Sequence, residues 1–180
     1  VTDPEGLHGL MAFLRDAHMA KLDFLEREGL LHLNNRGEYV GSGGFGWTDE
    51  LPAQDFAGHV RTKDLWMLAE SQETVGVSPA MFAEFVFPYQ RPLLERFGLT
   101  CYGCCEPVDS RWETLRTIPN LRRVSVSPWC DVGRMAENLQ DRCILSLKPN
   151  PAHLATSYFD EDVMRDRKST RLNSSHVSQS

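Results

Sequence analysis

Two adjacent cysteines and a glutamate are the residues of this chain whose types and spacing point most directly to chemistry. They lie in the run Cys101-Tyr102-Gly103-Cys104-Cys105-Glu106-Pro107, directly after the strand-like pair Leu99-Thr100. Thiolates and carboxylates are metal ligands, and a thiolate is also a nucleophile. We therefore predict Cys104 and Cys105 as metal ligands and Glu106 as a catalytic residue. The alternative is that the two thiols are buried and inert.

Strand geometry limits how these side chains can act together. If the strand continued through the run, Cys104 and Glu106 would project to one face and Cys105 to the other. The two thiols can therefore share one metal ion only where a turn follows the strand.

Two later segments place further charged residues at strand ends. Residues 123–127 alternate as a strand, and Asp131 lies in the loop that follows; residues 143–148 form another strand that ends at Lys148. In barrels of parallel strands, chemistry gathers at the C-terminal ends of the strands. We therefore predict Asp131 and Lys148 as catalytic residues that converge with the cysteines. The alternatives are a helix N-cap for Asp131 and a solvated lysine for Lys148.

Helical periodicity dominates the first part of the chain. A long amphipathic helix is predicted to end just before Gly29, and a short helix is predicted over residues 63–70. Ser78-Pro79 begins another helix, which Pro88 and Pro92 must kink or interrupt. The positions that define the long helix are Leu7, Leu10, Met11, Leu14, His18, Leu22 and Leu25.

The later part of the chain alternates strands and helices at short spacing. This order is typical of parallel α/β units, so strands near 99–104, 122–127 and 143–148 should lie parallel and in sequence order. Helices should cover the face that carries Val124 and Val126. Residues 30–61 instead carry many turn residues, which predicts either a functional lid or a surface hairpin.

Composition narrows the class of protein. With 180 residues, 41% of them hydrophobic, the chain suits one domain with its own core. A net charge of -6 argues against a nucleic-acid partner or an anionic membrane surface. Five cysteines, two of them adjacent, indicate a reducing compartment rather than a disulfide framework, so we expect a cytoplasmic protein.

Both ends of the chain look cut. Residues 166–176 match the in-frame translation of a sequencing-library adapter, so we expect residues 166–180 to be an artefactual, disordered tail. The chain begins with Val1 rather than methionine. We expect the natural protein to be longer and residues 1–165 to belong to its C-terminal portion.

Four runs of residues resemble a known family, the uroporphyrinogen decarboxylase superfamily. They are Glu84-Phe85-Val86-Phe87-Pro88-Tyr89-Gln90, Tyr102-Gly103-Cys104-Cys105-Glu106-Pro107, Val124-Ser125-Val126-Ser127-Pro128-Trp129-Cys130-Asp131-Val132 and Leu147-Lys148-Pro149-Asn150-Pro151. The resemblance covers residues 1–165 and is greatest to the methyltransferase-like branch with a Tyr-Gly-Cys-Cys-Glu strand.

The resemblance implies an α/β fold that is the later part of a (β/α)8 TIM barrel, incomplete in this chain. In the family's corrinoid-dependent methyltransferases, a His-x-Cys at a strand end and a later cysteine bind zinc, which activates a thiol as methyl acceptor. Here Cys104 occupies the cysteine position and Tyr102 the histidine position. The implied cofactors are zinc and a corrinoid carried by a partner protein.

Three functions follow as hypotheses. The first is a corrinoid-linked methyltransferase acting on a small-molecule substrate, in which Cys104, with Cys105 and Glu106, holds a metal or polarises a thiol. The second is decarboxylation of a porphyrinogen in porphyrin biosynthesis, which needs no metal. The third is a non-catalytic barrel that binds a corrinoid or another ligand.

Overall fold

The structure is a computed structural model that describes residues 1–42, 44–153, 155 and 161–162. Its helices and strands, in chain order, are α1 (Pro4–Arg27), β1 (Arg36–Gly41), β2 (Gly44–Trp47), β3 (Trp66–Ala69), α2 (Pro79–Phe85), α3 (Phe87–Glu95), β4 (Leu99–Tyr102), α4 (Trp112–Leu115), β5 (Leu121–Val126), α5 (Val132–Leu139) and β6 (Ile144–Leu147).

A four-stranded parallel sheet organises the fold. Its strands lie in the order β3-β4-β5-β6, and each neighbouring pair is parallel. The prediction that the last three strands are parallel and adjacent in sequence order is confirmed, as is the α/β class. The C-terminal ends of all four strands consequently lie along one edge of the sheet.

The helix predicted over residues 63–70 is wrong. A short 3-10 turn occupies Thr62–Asp64, and β3 follows as the first strand of the sheet. Trp66 packs with Leu51 and Leu99 on one face, whereas Met67 and Ala69 pack against the main core. A short strand that is covered on both faces reads as a continuous apolar run, which periodicity does not separate from a helix.

The main core lies between the sheet and the helices on one of its faces. Val124 and Val126 are fully buried there, as predicted, and helices α4 and α5 contribute Leu115 and Met135 with no exposed surface. Burying one such aliphatic side chain stabilises the fold by about 1.5–3 kcal/mol. This face of the sheet is therefore occupied by the core. A functional site can form only on the opposite face or at the ends of the strands.

Helix α1 packs outside this core, along α2 and α3. Asp3 caps its first turn by accepting a hydrogen bond from the Gly6 amide at 2.8 Å. The His8 ring stacks on Phe85 and hydrogen-bonds the Tyr89 hydroxyl at 2.7 Å. The predicted helix is confirmed, and it ends where Gly29 adopts a positive φ of 65°.

The other face of the sheet is covered by the antiparallel hairpin of β1 and β2. Asn34, just before β1, exchanges two hydrogen bonds with the Trp66 backbone, at 2.9 and 3.0 Å. Arg123, on β5, donates to the Phe45 carbonyl at 2.9 Å. Of the two alternatives for residues 30–61, the hairpin is thus observed over 36–47, and its tip reaches toward the C-terminal edge of the sheet.

The disordered tail expected over residues 166–180 lies outside the described residues. Among the helices that are described, none combines the length and the apolar character needed to cross a lipid bilayer.

Candidate thiol site at the ends of the parallel strands

A sharp turn after β4 brings the two adjacent cysteines together. The strand stops at Tyr102 because Gly103 adopts a φ of 101°, so strand alternation does not extend to the cysteines. The Sγ atoms of Cys104 and Cys105 lie 3.7 Å apart. Cys104 is half-buried and Cys105 is exposed. The turn that two adjacent thiols need in order to share one ligand is therefore present.

Gly103 is required by this turn. A Cβ atom at this position would lie 2.7 Å from the Ser125 carbonyl oxygen, and the φ angle is one that L-residues rarely adopt. We predict that Gly103→Ala lowers the free energy of unfolding by about 2–4 kcal/mol, measured by denaturant titration. Gly9→Ala, within α1 with no atom within 4 Å of the new Cβ, should instead stabilise by about 0.5–1 kcal/mol. Equal effects at the two glycines would contradict this role of the turn.

Lys148 joins the cysteines from the end of β6. Its Nζ lies 3.6 Å from the Cys104 Sγ and also donates a hydrogen bond to the Ser42 hydroxyl at the hairpin tip. The Ser42 hydroxyl lies in turn 3.4 Å from that of Ser125 on β5. The structure thus brings the predicted residues Cys104, Cys105 and Lys148 to one point at the C-terminal edge.

Glu106 is close to this point but faces the interior. It is 1% exposed, and its Oε1 accepts hydrogen bonds from the amide and hydroxyl of Ser71, at 2.7 and 3.2 Å. Its Oε2 accepts one from the Cys104 amide at 2.8 Å. The observed geometry makes Glu106 a residue that positions the cysteine turn relative to the loop after β3.

Asp131 has the role of a helix N-cap, the alternative that the sequence offers to a catalytic role. Its Oδ1 accepts a hydrogen bond from the Arg134 amide at 3.0 Å, which makes it the N-cap of α5. The side chain is exposed, and its hydrogen bond within the described residues is the one that caps α5. The structure gives Asp131 a structural role, whereas a catalytic role stays a prediction.

Two residues of the site, Ser42 and Glu70, were missed from the sequence. Glu70 follows β3 directly, and its carboxyl group raises the pKa of the Cys104 thiol. No sequence signal points to Glu70, because the pattern of residues 63–70 favours a helix there. Ser42 lies in residues 30–61, for which the sequence predicts a lid or a hairpin. That prediction indicates the region but no specific site residue.

The groups around Cys104 shift the pKa of its thiol in opposite directions. Burial raises the pKa of the Cys104 thiol above its usual value, and the hydrogen bonds with Glu70 and Cys105 raise it further. The hydrogen bond from Ser42 and the positive charge of Lys148 lower that pKa. The thiol is therefore the favoured form at neutral pH, and an additional positive charge at this point would favour the thiolate.

These opposing effects predict that two variants shift the pH dependence of Cys104 alkylation in opposite directions. Lys148→Met removes a charge that lowers the pKa of Cys104, so alkylation of Cys104 should need a higher pH than in the wild type. Glu70→Gln removes a carboxyl group that raises this pKa, so alkylation should begin at a lower pH. The measurement is the rate of iodoacetamide labelling at Cys104 against pH, by mass spectrometry, with Lys63→Met as the control. Shifts of the same sign in both variants would contradict the geometry.

The other three cysteines make their hydrogen bonds to groups outside this pair. The Sγ of Cys101 accepts a hydrogen bond from the Arg123 guanidinium at 3.2 Å, on the hairpin face of the sheet. Cys130 is buried beside Ser127, with 3.6 Å between the sulfur and the hydroxyl oxygen. Cys143 donates to the Leu121 carbonyl at 3.4 Å, at the opposite edge of the sheet.

The sulfur pair fits half of a zinc site. Two sulfurs bound tetrahedrally at ~2.3 Å from zinc lie ~3.8 Å apart, close to the 3.7 Å observed between Cys104 and Cys105. Tyr102, in the position of the family's histidine, is fully buried and donates to the Gln90 side chain at 2.6 Å on the helix side. Over the part of the chain that the structure describes, no group of three or more His, Cys, Asp or Glu residues is arranged to hold a metal.

A cleft of about 210 Å³ lies at the opposite, N-terminal edge of the sheet. Its lining includes Arg116, Arg122, Arg142 and Cys143. Arg122 is already paired with Glu50, at 2.5 Å. This cleft does not contact the cysteine pair, so it does not form part of the candidate site.

Comparison of this chain with protein families, curated proteins and solved structures finds no match.

Proposed function

We propose that this chain is the later part of a barrel enzyme of the uroporphyrinogen decarboxylase superfamily, a corrinoid-linked methyltransferase that works through Cys104. One observation carries the proposal. At the C-terminal ends of parallel strands, the Cys104 sulfur lies 3.7 Å from that of Cys105 and 3.6 Å from the Lys148 ammonium. A thiol between a second sulfur and a cation is suited to sulfur chemistry rather than to porphyrinogen decarboxylation.

The sheet supports the barrel part of the proposal. Four strands that follow one another in sequence are parallel and adjacent, with helices on one face. The polar side chains Arg123, Ser125 and Lys148 lie on the other face or at its end. In a barrel, the face opposite the helices is the interior, and its C-terminal end is the catalytic end.

Zinc, held by Cys104 and Cys105, would lower the pKa of a bound acceptor thiol so that the thiolate predominates at neutral pH. Further ligands would come from the substrate and from other residues of the full-length protein. The methyl donor in this proposal is a corrinoid carried by a partner protein.

Four other residues of the chain have separate roles in the proposed reaction. Glu70, whose carboxyl group raises the pKa of the Cys104 thiol, would accept the Cys104 proton. Lys148 offsets the negative charge that builds up when both sulfurs are deprotonated, and Ser42 fixes the Lys148 ammonium by a hydrogen bond. Glu106 holds the Cys104 backbone in place.

To test the proposal, the full-length protein is incubated in separate reactions with a methylated corrinoid plus a small thiol and with a porphyrinogen. With a methylated corrinoid and a small thiol, we expect formation of the methyl thioether, measured by mass spectrometry, together with the demethylated corrinoid. Release of carbon dioxide from a porphyrinogen, without thiol methylation, would replace the proposal with the decarboxylase. Corrinoid binding without turnover of either substrate would replace it with a ligand-binding barrel.

A further inference from the structure

We infer that Cys104 and Cys105 form a site of reversible oxidation, at which a small-molecule disulfide converts the two thiols to a disulfide between adjacent residues. The inference rests on sulfur geometry and exposure, and goes beyond the proposed methyl transfer. The two Sγ atoms already lie 3.7 Å apart in the turn after Gly103. The sulfurs of Cys101, Cys130 and Cys143 hydrogen-bond other groups instead.

Exposure sets the order of the two steps. The Cys105 thiol, which is exposed, loses its proton and attacks one sulfur of the small disulfide, so that one small thiolate leaves and a mixed disulfide remains on Cys105. The half-buried Cys104 then attacks the Cys105 sulfur as a thiolate, and the second small thiolate leaves. The two leaving thiolates take up the two protons. The cysteines lose two electrons, and the small disulfide gains them.

The product should be easily reduced. Consecutive Cα atoms lie about 3.8 Å apart, whereas the Cα atoms of most disulfides lie about 4.4–6.8 Å apart. A disulfide between adjacent residues is therefore strained, and strained, exposed disulfides are the labile ones. Oxidation would remove both sulfurs from any ligand at the C-terminal edge, and an excess of small thiol would restore them.

Mass spectrometry of tryptic peptides tests this inference. Cleavage after Arg96 and Arg111 releases the peptide 97–111, which contains Cys101, Cys104 and Cys105. After incubation with oxidised glutathione and alkylation, we expect this peptide to lose the mass of two hydrogen atoms and to carry one label, on Cys101. Excess reduced glutathione should return all three labels. Cys130 and Cys143, in other peptides, should stay labelled throughout.

The variant Cys104→Ser tests the order of the steps. Without the second thiol, the glutathione adduct on Cys105 should accumulate, because nothing displaces it. Three labels on the wild-type peptide after oxidation, or a link that involves Cys101, would overturn the inference. A Cys104–Cys105 link that survives excess reduced glutathione would overturn its reversibility. None of these readouts depends on metal or on methyl transfer, so the failure of the proposed function leaves this inference standing.

Discussion

Replacing Glu106 by glutamine is expected to lower the free energy of unfolding by about 2–4 kcal/mol. The side chain is 1% exposed and accepts three hydrogen bonds, two from Ser71 and one from the Cys104 amide. Glutamine has the same shape but only one oxygen, so its amide group would face a backbone N–H that then has no acceptor. The loop after β3 and the cysteine turn would lose the group that joins them.

Equilibrium unfolding in urea measures this effect, with Glu113→Gln as the matched control. Glu113 is exposed, and its pair with Arg116, at 3.4 Å, is of the kind that contributes about 0–1 kcal/mol. We expect Glu113→Gln to change stability by less than about 0.5 kcal/mol. If Glu106→Gln were as mild as its control, the buried hydrogen bonds would not hold the turn, and a role for Glu106 in catalysis would regain support.

The arrangement of the later strands could be predicted from the sequence, because their patterns are local. Val124 and Val126 alternate with polar residues, and Asp131 stands one position before an amphipathic helix, so both the strand and the cap can be read without tertiary information. Strand β3 could not, because Trp66 and Met67 are covered from opposite sides by the hairpin and the helices. The periodic signal that distinguishes a strand is absent where both faces are covered.

The candidate site was predictable in part for a similar reason. Cys104 lies two residues after β4 and Lys148 directly after β6, and parallel order brings such ends together. The orientation of Glu106 was not predictable, since it depends on the positive φ of Gly103 and on donors from Ser71, 35 residues earlier in the chain. Ser42 reaches the site only through the hairpin, a contact that no local pattern encodes.

Replacing Cys104 by alanine is expected to weaken zinc binding by more than ~100-fold. Loss of a group that merely supports a metal ligand already costs about 10–100-fold, and Cys104 would be a ligand itself. Its Sγ lies 3.7 Å from that of Cys105, so removing either sulfur leaves a single one at this point. Cys143→Ala is the control, because Cys143 is also half-buried but lies at the opposite edge of the sheet. A calorimetric titration with zinc should show unchanged affinity in the control.

Cobalt substitution in the full-length protein tests the metal-binding claim most directly, because cobalt bound to thiolate absorbs in the near ultraviolet and reports the sulfur ligands themselves. We predict one cobalt per chain in the wild type and in Cys143→Ala, with a sulfur-to-cobalt band that is lost in Cys104→Ala while the circular dichroism of the fold is unchanged. A wild-type protein that binds no metal, or a Cys104→Ala variant that keeps both the cobalt and the band, would contradict a metal-bound thiolate at Cys104.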